Sequence, residues 1–444
     1  MEPAQSHLTE GAAYWARPDE DILRQRMQEF YQDPASQLVQ KRIENAYQLI
    51  STRFTWAAAA KRWTEFIDGV QAHQVRPKVA MVTTWNNKCG IAEYTRFQCE
   101  AMRNMADFTI YPNYGVELLR PDEGYVQWRS WHSAFSGDMD DLCQALLKGN
   151  EEIVHFQFNF GFFKLDNLAK TIKELHDKKR VIVTFHKTKD ADVNGAIVSL
   201  QSIREELNLC WRLIVHQEED KKILVSFGVD PEIIEMIPLG QLVYEQRDKK
   251  QVQNELGLKR SLVLGSYGFL LPHKGILENI KALEFIRKQY PDVLYMPCCA
   301  LHESPESRSY YDTCMQYVKN QNLEENVVFI TDFLELEESM VLLQACDILL
   351  MNYLPTGESA SGAVRFCAAA QRPLITTQQE IFNEFKDCTM QIPEAKPEKI
   401  AEMVCAAVQQ DCSSMMQRMR KHIEETSWDT VAERFDRLYR GERL

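Results

Sequence analysis

Two successive series of short β-branched runs, each alternating with amphipathic stretches, constrain this chain more than any other feature. Such an alternation dictates a parallel sheet with helices on both faces. The first series begins at Lys78, with strands expected over residues 78–84, 152–158, 181–186 and 212–216 and helices over 91–105 and 165–176. The second follows the charged stretch 245–259. Its expected strands are 262–267, 293–298, 327–330, 347–351 and 373–376, and its expected helices 277–288, 309–319, 335–344 and 362–370. Two doubly wound lobes result, joined by the polar run 241–254, and ligands of such sheets bind beyond the carboxyl ends of the strands. A length of 444 residues agrees with two cores rather than one.

Bulk properties narrow the partners. A net charge of −13 argues against nonspecific nucleic-acid binding, which needs a surplus of Lys and Arg on one face. No apolar run approaches the ~20 residues that span a bilayer. The polar, acidic start lacks the plan of a signal peptide, so a cytoplasmic protein is expected, with a peripheral position at the membrane left open for a lipid-linked acceptor. Twelve cysteines show no C-x-x-C spacing and read as small core residues; neither a metal nor a cofactor is expected.

The first 72 residues stand outside both series and are helical by pattern. The end of the chain repeats them: Trp56 aligns with Trp428, Ala60 with Ala432, Arg62 with Arg434 and Trp63 with Phe435. Upstream, Pro18-Asp19 and Pro397-Glu398 each open a helix that ends near an aspartate, Asp33 and Asp411. An internal repeat accounts for these matches better than chance likeness of amphipathic helices.

Four segments carry chemistry. In the run 83–94, Lys88 and Gly90 precede a helix that includes Glu93; glycine there admits a ligand to the free N–H groups of the helix start, although an ordinary strand-to-helix turn has the same look. His155, Gln157 and Asn159 share one side of an expected strand, as in any half-buried strand. His186 ends the apolar run 181–185, where a polar side chain points at the cleft, yet a lone histidine is more often structural. In the second lobe, Gly268 and Lys274 lie in a loop that sets a cation near a helix start. The sharpest segment is 352–366, where Glu358, Ser359, Ser361 and Gly362 open a helix carrying Arg365. Its N–H groups suit a diphosphate, and Glu358 suits sugar or ribose hydroxyls, with a plain helix cap as the alternative.

From about Lys78 to Leu444 these motifs resemble the retaining family-four glycosyltransferases of GT-B fold. Residues 268–275 look like the donor-phosphate loop, with Lys274 on its lysine; the arginine usual after the first glycine is Phe269 here. Glu358 falls on the first of two glutamates separated by seven residues, and Phe366, preceded by Arg365, stands at the second. Residues 88–94 resemble the first-lobe glycine loop, and His186 falls near the active-site histidine. The helix at Trp428 resembles the terminal helix that crosses back to the first lobe, and residues 14–70 look like the tail of another glycosyltransferase.

The resemblance implies an α/β protein with two Rossmann-like doubly wound lobes. It divides into an N-terminal helical extension (1–72), an acceptor-side lobe (73–244), a donor-side lobe (245–415) and a crossing helix (416–444). It implies a metal-independent hexosyl transfer with retention from a nucleotide-sugar to a glycan, lipid-linked or protein acceptor, in a setting such as polysaccharide assembly. His186 and Glu358 would be catalytic. Gly268, Lys274, Glu358, Ser359, Ser361, Gly362 and Arg365 would hold the donor, and Lys88, Gly90 and Glu93 would form the first-lobe loop. A same-fold epimerase or phosphorylase and a catalytically silent binding module remain open alternatives.

Overall fold

The computed structural model describes residues 2–4, 13–15, 20–53, 55–57, 59, 60, 63 and 64 of the N-terminal stretch. It then describes 76–442 except 115–117, 120–125, 128, 133–137, 194, 357 and 359. The chain divides into two compact units after Val75.

The first unit centres on helices α1 (Glu20–Gln32) and α2 (Gln37–Arg53), tied together by Glu29, which pairs with Arg26 and Arg42. Their apolar residues find little cover. No residue of α1 is buried, and Phe30, Tyr31, Tyr47 and Trp56 all stand exposed. Of the sequence match to the chain's end, Pro18, Asp19 and Arg62 lie outside the described residues.

The second unit opens with β1 (Lys78–Thr83), α3 (Gly90–Ala101), β2 (Asp107–Pro112), β3 (Val126–Gln127), α4 (Asp140–Lys148), β4 (Ile153–Phe158), α5 (Leu165–Leu175), β5 (Arg180–Phe185), β6 (Arg212–Val215), α6 (Glu218–Ser226) and β7 (Ile234–Met236). The strands form one seven-stranded parallel sheet in the order β3-β2-β1-β4-β5-β6-β7, with the chain reversing direction of travel at β1 and β4. Continuous apolar runs make β4 buried along its whole length, as a sheet covered on both faces requires.

The second lobe holds α7 (Lys249–Glu255), β8 (Val263–Phe269), α8 (Ile276–Ile286), β9 (Leu294–Ala300), α9 (Pro305–Asn320), α10 (Leu336–Ala345), β10 (Ile348–Met351), α11 (Gly362–Ala369), β11 (Leu374–Thr377), β12 (Met390–Ile392), α12 (Pro397–Gln409) and α13 (Ser413–Glu425). Its five-stranded parallel sheet runs β9-β8-β10-β11-β12. The final helix, α14 (Trp428–Tyr439), buries Val431, Ala432, Phe435 and Leu438 in one apolar cluster with Val79, Met81 and Met102 of the first lobe.

Two expectations need correction, and one strand went unforeseen. Residues 327–330 form only isolated bridges to β9, at Tyr295 and Cys298. Amide donors alternate along that edge from Tyr295 N to Asn326 O and from Cys299 N to Ile330 O, and Pro297, with no N–H, removes the one between them. Residues 249–254 are not linker but helix: Asp248 caps them by accepting from Gln251 N at 2.9 Å, and Val252 is fully buried. Strand β2 was not anticipated.

Candidate functional site

The carboxyl ends of β8 and β10 carry two loops that zip together. Pro272–Lys274 form a single tight turn closed by Gly275, whose φ is +69°. A Cβ at Gly275 would lie 2.0 Å from the carbonyl oxygen of Asn352, so both the backbone angle and the close approach demand glycine. Leu354 N then donates to His273 O at 2.8 Å. Below the loops, Asn352 donates to Asn279 at 2.8 Å and Asn279 donates to Tyr295 at 3.1 Å, anchoring both on a buried polar network.

Lys274 and Glu358 meet at this seam. The ammonium Nζ lies 3.3 Å from Glu358 Oε2 and 4.2 Å from the centre of the Tyr353 ring, and His273 Nε2 lies 3.7 Å from Glu358 Oε1. Burial works against the Lys274 charge, but Tyr353 and Glu358 outweigh it and hold its pKa above the ordinary lysine value. Burial likewise opposes the Glu358 carboxylate, and Lys274 and His273 outweigh it, so its pKa falls below the usual range. His273 is pushed down to about 4 by burial and by Lys274. The result is one persistent cation and one persistent anion, only the anion substantially open to solvent.

Helix starts follow both members of the pair in the chain, α8 after Lys274 and α11 after Glu358. Ser361 caps α11, its Oγ accepting from Val364 N at 3.3 Å and meeting Tyr353 Oη at 3.2 Å. Its hydroxyl is therefore engaged within the protein rather than presented to a ligand. Gly362 has no atom within 4 Å of where a Cβ would sit, and the same holds for Gly90 at the start of α3, so both helix starts open on free space. Gly268, at φ +131°, brings β8 against α11, where a Cβ would lie 3.1 Å from Ala363 Cβ. Ser359 lies outside the described residues.

The facing wall belongs to the first lobe. His186, at the end of β5, is half-buried between Tyr94 and His216, with ring centres 4.9 and 5.1 Å away, and its Nε2 lies 2.8 Å from Gln157 Oε1. Burial first, then His216 and His155, drive its pKa well below 6.5, so its ring is neutral at physiological pH. The charge of Lys187 acts on Glu358 from across the cleft, and Lys189 pairs with Glu380 of the second lobe. Lys88 is exposed, and Glu93 pairs with Arg96 at 2.8 Å.

Arg365, expected to hold a donor, is enclosed by protein. It is 3% exposed, donates to Gln241 Oε1 at 3.0 Å and to Glu384, and lies over Phe385, so it holds the linker between the lobes instead of facing a nucleotide. Gln241 returns a bond from its Nε2 to Arg365 O at 3.0 Å. Phe366 stacks on Tyr267, centres 4.7 Å apart, and meets Phe97 of the first lobe at 6.4 Å. Phe269 packs edge-on to His302 and beside Phe333.

Sequence reasoning placed Tyr94 in the loop 88–94 without a role of its own, and it passed over Gln98, His216 and Tyr439. His216 had a signal: it ends β6 as His186 ends β5. Gln98 and Tyr439 sit on helix faces that read as ordinary core.

No protein-family model matches the chain, and no curated protein matches it in sequence. Solved structures match its fold. Sucrose-phosphate synthase from Thermosynechococcus elongatus aligns over 82% of this chain and 98% of its own, at 12% identity and a TM-score of 0.67. Trehalose-6-phosphate synthase OtsA aligns over 82% and 99%, at 14% identity and a TM-score of 0.64. Anabaena HepE in complex with UDP and glucose aligns over 82% and 100%, at 12% identity and a TM-score of 0.63. Residues 76–442 thus have the two-lobed GT-B fold.

Proposed function

We propose that the chain is a glycosyltransferase that binds a nucleotide-sugar on the second lobe and passes its sugar to an acceptor held against the first. The observation that carries this reading is the ion pair of Lys274 with Glu358, just ahead of the open start of α11 and within the field of Lys187 of the first lobe. A fixed cation beside free backbone N–H groups suits a diphosphate, and a carboxylate within reach suits the hydroxyls of the sugar it carries. Because HepE was solved with UDP and with UDP-glucose, a uridine diphosphate sugar is the first donor to try.

In the proposed reaction the bond from the anomeric carbon to the diphosphate oxygen breaks as the bond to the acceptor oxygen forms on the same face. Configuration is retained, and a diphosphate oxygen takes the acceptor's proton. Lys274 and the start of α11 meet the charge that develops on the leaving group, without a metal ion or cofactor. His186 orients the sugar or the acceptor. The acceptor is a glycan, a lipid-linked sugar or a protein, and the setting is a cytoplasmic one such as polysaccharide assembly.

The packing of Phe366 between Tyr267 and Phe97 favours a second reading. An aromatic stack fills the position where a ribose-binding glutamate stands in the family, as it would in a module that has lost turnover.

Calorimetry of UDP, GDP, ADP and their sugars on the full chain separates the two. The first reading expects one nucleotide to bind and Lys274→Ala to weaken it roughly 10- to 150-fold, the cost of a charge-assisted hydrogen bond. Absence of binding by any of them would overturn it in favour of the silent module.

A further inference from the structure

A hydrogen-bonded file runs from the cleft to the crossing helix. His186 Nε2 lies 2.8 Å from Gln157 Oε1, Gln157 Nε2 donates to Gln98 Oε1 at 3.2 Å, and Gln98 Nε2 donates to Tyr439 Oη at 3.2 Å. Tyr439 Oη lies 2.8 Å from His155 Nδ1, and His155 Nε2 lies 2.7 Å from Thr184 Oγ1. Gln98, Gln157, His155 and Thr184 are all fully buried, so none can exchange its partner for water.

The file has a direction. Gln157 Nε2 also lies 3.4 Å from Met81 Sδ, and a thioether only accepts, so the amide nitrogen belongs on that side and the amide oxygen faces His186. An amide oxygen cannot donate, hence the proton between the two sits on His186 Nε2. The same logic passes along the file: Gln98 presents its oxygen to Gln157 and its N–H to Tyr439, leaving the phenolic O–H for His155 Nδ1 and the His155 Nε2–H for Thr184. Each member from His186 to His155 then donates to the next in the same sense, from the cleft toward the sheet interior.

We infer that Gln157, locked by Gln98 and Tyr439, is a positioning residue that fixes His186 as its Nε2–H tautomer and leaves Nδ1 as a hydrogen-bond acceptor for a hydroxyl of the bound sugar or acceptor. The inference rests on the reading of His186 as a cleft residue of a sugar-transfer site. It makes the crossing helix part of the site's definition, since Tyr439 is the member that α14 supplies. Tyr94 and His216 pack on the His186 ring and fix its plane, while Gln157 fixes which nitrogen carries the proton.

The test is the tautomer itself, read at pH 7.5 by long-range proton–nitrogen correlation on the full chain with labelled histidine. His186 is assigned from the signal lost in His186→Asn. The expected result is an Nε2–H pattern in the parent, an Nδ1–H component in Gln157→Leu, and the Nε2–H pattern kept in Gln157→Glu, whose carboxylate still accepts. An Nδ1–H pattern in the parent, or no change in Gln157→Leu, overturns the inference. Tyr439→Phe, which keeps the ring, supplies a second variant: it removes the donor to His155 and loosens Gln98, so an Nδ1–H component at His186 is expected there too, and its absence counts against the file. With a donor identified, Gln157→Leu should lower kcat roughly 10- to 100-fold, the scale known for hydrogen-bond partners of metal-ligating imidazoles, while donor Kd changes little. The spectrum needs no turnover: failure to bind any nucleotide sinks the proposed function and leaves the tautomer assignment to be decided separately.

Discussion

The buried file predicts an acid sensitivity whose size follows from one residue. His155 is fully buried on β4, with both ring nitrogens hydrogen-bonded inside the protein, and burial pushes its pKa down to about 3. In the unfolded chain the same imidazole titrates near 6.5. The native state therefore holds fewer protons than the unfolded state wherever the pH lies between these values. The stability from the neutral ring is complete above about pH 6.5 and is lost steadily as the pH falls below it. Between pH 7.5 and 5.0 the loss for one such group is about 2 kcal/mol, the product of roughly 1.5 effective pH units and about 1.4 kcal/mol per unit. His216, 5% exposed and pushed down to about 4 chiefly by burial, adds a similar amount over the same window.

Urea unfolding of the parent and of His155→Gln at pH 7.5, 6.5, 5.5 and 5.0 measures this. The glutamine variant is expected to be less stable at pH 7.5, because it breaks the bonds to Tyr439 and Thr184. Its stability should then fall about 2 kcal/mol less than the parent's on going to pH 5.0, since the titrating ring is gone. Groups remote from His155 titrate alike in both proteins and cancel in the difference; His186, whose pKa is held down chiefly by burial and only in part by His155, changes little. Curves that run parallel over the whole range would refute the argument, for they would mean that His155 takes up its proton as readily in the fold as outside it.

Three further outcomes follow from the site. Gly275→Ala must place a Cβ on the Asn352 carbonyl and hold φ near +69°, so a loss of roughly 1–3 kcal/mol is expected, together with weaker nucleotide binding than in the parent; thermal unfolding and calorimetry check both. Arg365→Met leaves Glu384 without its partner and Gln241 without a donor, so about 3–5 kcal/mol of stability should be lost, while donor Kd in the folded fraction stays within about threefold of the parent's. A larger loss of affinity would restore Arg365 to the donor site. Gly240→Ala drives a Cβ to 2.1 Å from the indole of Trp428; since the ring is also held by Phe97 and Tyr94, a clear fall in melting temperature is expected.

Much of the two-lobed plan was legible because long apolar runs between amphipathic stretches leave little choice of element. The errors have local causes. Pro297 reads as one residue inside a strand, and only the ladder shows that its missing N–H reduces the neighbouring segment to two bridges. Strand β2 ends in Pro112 and follows a helix whose apolar face runs on to Met102, so the boundary between them has no clear mark in the sequence. The loop at Lys274 was legible for a stronger reason: Gly275 is required twice over, by its backbone angle and by Asn352.

The lobe contacts were not legible, because they depend on which residues of separate runs meet. Arg365 follows a cap and a glycine on α11, the position from which a cation could serve a phosphate, and sequence alone favours that use. Its environment decides otherwise. Gln241, Glu384 and Phe385 close around the guanidinium, and Gln241 is itself held by Thr426 O and by Trp428 N at the start of the crossing helix. The next residue extends the same junction, since Phe366 reaches Phe97, and Phe97 stacks on Trp428 at 6.0 Å. Residues 365 and 366, read from sequence as a donor-holding arginine and a phenylalanine at the second glutamate position, are better understood together. They fasten α11 to the linker and to the first lobe, and they leave Lys274 and Glu358 as the ion pair at the seam of the two second-lobe loops.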